Sequence, residues 1–165
     1  MLKQIPGLDG YEIAVAIPTA FTGATGNSRG DKDGTDSAHT LFNVNGDVIV
    51  RIFGVCTVSL TGDSGTVEVG VAGNTAGLIA QTTATNIDAN DLWSDPTPTV
   101  GVDTLASVLG PYVIANGMDI IETVATTDIA TGNIYYVCMW KPLTPGSTVT
   151  ALPIPDGADI RYDTP

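Results

Sequence analysis

Positive charge is scarce in this chain: six lysines and arginines stand against eighteen aspartates and glutamates, a formal net charge of −12. Proteins bind phosphate backbones through Lys and Arg by counterion release, so this balance argues against a nucleic-acid partner. An anionic membrane surface would repel the chain as well. Charge of either sign is thin, at 15% of residues against roughly 25% in an ordinary soluble domain. Long charged helices are hard to build from such a mixture. No apolar run reaches the roughly 18–20 residues of a membrane span. The opening Met1-Leu2-Lys3-Gln4-Ile5-Pro6 lacks a basic region followed by an apolar one, so the expectation is synthesis and assembly in the cytoplasm. Histidine occurs once and cysteine twice. Cys56 and Cys138 sit in apolar stretches and read as buried free thiols, and their spacing to His39 fits no zinc pattern. No glycine-rich phosphate loop precedes a helix, and no cofactor is expected.

What takes the place of charge is glycine (19), proline (10) and many threonines, with 43% hydrophobic residues. Threonine is β-branched and suits strands, while glycine and proline punctuate turns. In Val48–Leu60, Val48, Val50, Ile52, Gly54, Cys56, Val58 and Leu60 alternate with Ile49, Arg51, Phe53, Val55, Thr57 and Ser59. Period two over this length points to a strand, and the second set is partly apolar too, so both faces are suited to burial. Gly54 within it suggests a bulge or a bend. Thr40–Val44, the turn Asn45-Gly46-Asp47 and this strand read as a tight hairpin, and Asn116-Gly117 reads as a second one. Further strands are expected at Thr66–Ala72, Leu78–Thr83, Tyr112–Ala115, Met118–Val124 and Ile134–Lys141, with one more short strand near the C-terminus. Tyr11–Ile17 reads as a first strand or an apolar arm. Asp88–Ser94 fits one helical turn capped by Asp88 and anchored by Trp93. Asp103–Leu109 fits a short helix or a strand.

About eight or nine short strands at intervals of roughly ten residues predict a single all-β domain over residues 1–165. The expected architecture is a β-sandwich or a jelly-roll-like barrel. Residues 18–38, rich in Gly, Asp and Thr, read as a long exposed loop with little to bury. Residues 1–10 read as an N-terminal arm. Leu2, Ile5, Leu8 and Tyr11 lend this end of the chain an apolar character suited to attachment.

Sites for chemistry are weak. Gly62-Asp63-Ser64-Gly65 matches the nucleophile tetrad of chymotrypsin-like proteases, and Ser37-Ala38-His39 faintly echoes the context of their histidine. A serine hydrolase needs its imidazole and an oriented acid around the nucleophile between two barrels, and this chain is too short for two. Asp, Ser and Gly are also turn residues. Asp31, Asp33 and Asp36 alternate like half of a calcium loop, but Phe42 stands where such a loop ends in glutamate. No metal is therefore expected. Arg29-Gly30-Asp31 is an integrin-type tripeptide without an extracellular context. Trp93, Tyr135, Tyr136 and Trp140 would stack on a sugar in a lectin-like site, or serve as core or interface residues.

His39–Thr61 (HTLFNVNGDVIVRIFGVCTVSLT), Val69–Ala80 (VGVAGNTAGLIA), Asn86–Trp93 (NIDANDLW) and Ile114–Ile121 (IANGMDII) resemble small proteins of the structural modules of tailed-bacteriophage genomes. Those proteins are similar to head decoration, or capsid stabilisation, proteins. The resemblance covers about two-thirds of the chain, leaving out the first 38 residues and the last 20. It implies a non-enzymatic virion protein on the capsid surface that binds the major capsid protein. It also implies a homo-oligomer, typically a trimer at local threefold axes. The two-sided apolar strands point to self-association independently. A tail or fibre-like β-module, with or without carbohydrate affinity, is the alternative, and a hydrolase built on Ser64 the remote one.

Overall fold

Alternating β-branched residues become strand throughout the chain, and no α-helix occurs among the described residues. The computed structural model describes residues 10–23, 28–33, 38–103 and 110–152. Its strands are β1 (Glu12–Ala16), β2 (Ala38–Asn45), β3 (Val48–Thr61), β4 (Thr66–Val71), β5 (Asn74–Thr83), β6 (Asp91–Trp93), β7 (Thr99–Val100), β8 (Tyr112–Ile114), β9 (Ile120–Ala125), β10 (Thr131–Pro142) and β11 (Thr148–Ala151). Every segment read as a strand contains one, with shifted ends, so that Ala72, Ala115, Met118 and Asp119 fall outside the strands. Two short ones, β6 and β7, were not anticipated. The helical turn expected at Asp88–Ser94 is absent: one 3₁₀ turn lies upstream at Ala84–Asn86, and Asp88 donates its backbone N–H to Asp91 Oδ2 instead of capping. Of Asp103–Leu109, all but Asp103 lies outside the described residues.

The strands form two antiparallel sheets, with orders β1-β10-β3-β6-β7 and β11-β2-β9-β4-β5; β8 joins the first by pairing with β3 beside β6. The pairing is nested: β1 with β10, β2 with β9, β3 with β8, and β4 with β5. Seven of the ten connections between consecutive described strands therefore pass from one sheet to the other. Each sheet turns one apolar face inward, and Val48, Val50, Ile52 and Cys56 of β3 meet Phe42, Val67, Val69 and Ile120 of the opposite sheet in one core. Trp93 and Tyr136 fill its centre edge to face, their ring centroids 6.2 Å apart, and Trp93 Nε1 donates to Thr82 Oγ1 at 2.9 Å. Gly54 is not a bulge. Its register with Tyr136 and Trp93 is regular, and a Cβ there would press on Ile134 at 2.8 Å. The glycine makes room for the rings.

Neither Asn-Gly turn closes a hairpin. Asn45-Gly46 carries the chain from β2 to β3, and Asn116-Gly117 from β8 to β9, each between different sheets. Asn116 (φ 60°) and Gly117 (φ 67°) do adopt the left-handed conformation that the dipeptide favours. The two turns bind one another: Gly117 N–H donates to Gly46 O at 3.0 Å and Asn116 N–H to Asp47 Oδ1 at 2.8 Å.

Within residues 18–38, the described residues 18–23 and 28–33 depart from the exposed loop that composition predicts. Phe21, Gly23, Arg29 and Gly30 are buried. Phe21 N–H donates to Gly132 O at 2.9 Å, and Ile129 N–H to Gly30 O at 2.8 Å. A Cβ at Gly23 or Gly30 would collide with the Ile129 carbonyl. Glycine signals a mobile loop in composition, but here it permits backbone to pack on backbone.

Candidate functional site

The most concentrated polar chemistry lies inside the sandwich. On β9, Ile120, Glu122 and Val124 share the inward face, which places a carboxylate among core side chains. Tyr136 faces it from β10 and donates its hydroxyl in a short hydrogen bond to Glu122 Oε2. Arg29 enters from the β1–β2 connection and grips the carboxylate as a fork, Nε to Oε1 at 2.9 Å and Nη2 to Oε2 at 2.7 Å. Its remaining donors reach Thr19 O (2.6 Å), Asn133 Oδ1 (3.3 Å) and Ile134 O (3.2 Å), so all five N–H groups have acceptors. The guanidinium also lies 3.9 Å from the centroid of the Phe21 ring.

Burial alone would push the Glu122 carboxyl up, but the Arg29 charge, its hydrogen bonds and the Tyr136 hydroxyl hold it below the usual carboxylate range. Burial and the adjacent carboxylate push the Tyr136 phenol well above its ordinary value, so it stays a donor. Burial opposes the Arg29 charge, yet Glu122 raises its pKa overall. Both side chains of the ion pair are 1% exposed. The cluster is sealed from solvent and acts as a bolt joining the β1–β2 connection to both sheets.

The surface chemistry is divided between the two outer faces. On the five-stranded sheet the outward positions include Asn43 of β2, Thr123 of β9, Glu68 of β4 and Thr150 of β11. Gln81 Nε2 donates to Glu68 Oε2 there at 3.1 Å. This is the polar exterior usual for an antiparallel sheet. The six-stranded sheet reverses the pattern. Its outward positions run Ile13–Met139–Arg51, Val15–Val137–Phe53 and Tyr135–Val55–Leu92 across neighbouring strands, with Ile49 beside Val113 and Lys141. Ile13 and Val113 are 62% and 66% exposed. Met139 is 4% exposed yet is no part of the core between the sheets, since its register places it on this outer face between Ile13 and Arg51. No acid among the described residues occupies the face. At about 4.8 Å per strand and about 3.3 Å per residue it covers roughly 400 Å², the size at which an apolar patch becomes notable on a monomer.

Of the attachment residues read from sequence, Tyr11 belongs to this face: Lys141 Nζ sits 4.4 Å above the centroid of its ring. Leu2, Ile5 and Leu8 lie outside the described residues, as does Asp36 of the acidic loop. Asp31 and Asp33 do not converge on a cation position. Asp31 Oδ1 accepts the Asp33 N–H at 2.9 Å, Asp33 Oδ2 pairs with Lys32 at 2.7 Å, and no group of metal-ligating side chains occurs among the described residues. Arg29 of the Arg-Gly-Asp tripeptide is buried, so that motif is not displayed.

Ser64 lies exposed in the β3–β4 turn, beyond the Ala125 end of β9. His39 pairs with Glu122 on the other side of β9 from β4, about 10 Å away across the sheet alone. The two make no nucleophile–base pair. Trp93, Tyr136 and Trp140 are buried in the core, which corrects the sugar-stacking alternative for all three, and Tyr135 stands on the apolar outer face. Cys56 and Cys138 are buried free thiols, as their surroundings predicted.

The residues that sequence reasoning missed are Arg29 and Glu122. For Glu122 a signal existed, because alternation from Ile120 to Val124 puts it on the apolar face. Arg29 had none.

Comparison with protein-family models, curated proteins and solved structures returns no match.

Proposed function

We propose that this chain is a non-enzymatic structural protein of a tailed-phage virion, decorating the capsid exterior and stabilising it by binding the major capsid protein. The observation that carries the reading is an acidic, two-sheet β domain that turns an apolar outer sheet face to its surface. Such a surface serves contact rather than catalysis. Two features add support. The nested pairing of β1 with β10, β2 with β9, β3 with β8 and β4 with β5 supports a jelly-roll-like reading of the sandwich, a form common in viral capsid proteins. Second, the phrases that resemble head decoration proteins fall on strands of both sheets: β2, β3, the end of β4, β5, β6 and the β8–β9 turn.

In this reading the protein self-associates, as a trimer by the family resemblance, and takes no cofactor, nucleic acid or membrane as partner. Residues 1–10 make the contact with the head lattice. Antibody labelling of purified particles tests the role: label on heads is expected, and label on tails alone, or on no particle, refutes it. Titration of a variant lacking residues 1–10 onto undecorated heads tests the arm, whose loss should lower occupancy without lowering the melting temperature.

A further inference from the structure

We propose that the outer face of the six-stranded sheet is where copies of this chain bury one another, their faces turned towards a common axis. The inference deepens the self-association part of the reading above and rests on it. The occupant is a second copy for reasons of charge, shape and area. A chain with eighteen acids and six bases repels its own copies over most of its surface. The strand positions that form this face join an apolar lining to an absence of carboxylates, so two copies meet there without setting acid against acid. Its cations do not obstruct the approach: Arg51 is half-buried, and Lys141 is folded over the Tyr11 ring at the corner.

The shape fits a like surface. Val15, Phe53, Val55, Tyr135 and Val137 stand on adjacent strands as a nearly flat array, which suits another sheet at the spacing of about 10 Å found between packed sheets. Two such faces contribute roughly 800 Å² in plane. Side-chain relief carries the buried surface towards the about 1,000 Å² at which a specific interface begins. The polar exterior of the other sheet offers nothing comparable.

The test is the mass of the full-length protein by light scattering at micromolar concentration, with variants on each face. The wild type should run at a whole multiple of the 16.9 kDa chain. Val137→Lys and Ile13→Lys should shift it to single-chain mass or raise the dissociation constant more than about tenfold. Ile13 is already 62% exposed, so its replacement leaves the fold intact and keeps the test valid if Val137→Lys unfolds. Thr150→Lys, on the polar face, should change nothing. A single-chain mass for the wild type overturns the inference, and so does an Ile13→Lys protein with wild-type mass and unchanged affinity. An oligomer broken only by Thr150→Lys would assign the contact to the other sheet. None of these results bears on whether the protein is found on heads.

Discussion

Replacing Arg29 by methionine should be among the most damaging single changes available to this protein. The side chain keeps its length and its apolar stem against Phe21, but the fork on Glu122 and the bonds to Thr19 O, Asn133 Oδ1 and Ile134 O are lost. Glu122 is then left buried with only the Tyr136 hydroxyl as a donor. Removing one partner of a buried pair costs about 3–5 kcal/mol. At about 2–4 °C per kcal/mol for a chain of this size, the melting temperature should fall by roughly 6–20 °C. The pH dependence carries the more specific signature. In the wild type the Glu122 carboxyl is depressed on folding, so its contribution is complete above about pH 4.3 and is lost as pH falls through the lower folded value. In Arg29→Met, burial is no longer balanced by the Arg29 charge and outweighs the remaining Tyr136 hydroxyl, which raises that carboxyl above its unfolded value. Its penalty then grows as pH rises, and the difference between the two proteins should shrink from pH 7 towards pH 4. Urea unfolding followed by fluorescence of the buried Trp93 and Trp140 measures both effects. Glu122→Gln added to Arg29→Met should recover part of the loss at pH 7. A loss under about 1 kcal/mol, or a gap between the proteins that does not change with pH, would refute the reasoning.

Three further outcomes follow from named contacts. Burial pushes the Cys56 thiol up to about 11 and the Cys138 thiol up to about 12, so neither should react with a disulfide reagent at pH 8 until the protein unfolds. Gly117→Ala should destabilise by about 1–2 kcal/mol, read by thermal melting, because φ is +67° and a Cβ would lie 3.1 Å from Val44 O. Calcium or EDTA should leave the melting temperature unchanged, since Asp31 and Asp33 bond to their own loop; a marked rise with calcium would show that those carboxylates converge on the ion.

The strands were legible because their signal is local. Alternation in β3 and β10 places Ile52, Cys56, Ile134, Tyr136 and Trp140 on inward faces whatever the strands pair with, and all of them are buried. The second apolar set, Ile49, Phe53 and Val55 on β3 with Tyr135, Val137 and Met139 on β10, was equally visible, and the register shows these sets to be neighbours. Pairing was not legible. An Asn-Gly turn specifies backbone dihedrals, and the same turn serves a hairpin or a passage between sheets. Which one forms depends on where each strand buries its apolar face, a property of the whole sandwich. The bolt lay furthest from sequence reach. Arg29 and Glu122 are separated by 93 residues, and a loop of Gly, Asp and Thr gives no local sign that its arginine ends in the core. Composition reports average solvation, whereas burial of one charge depends on the single acceptor that tertiary structure brings to it.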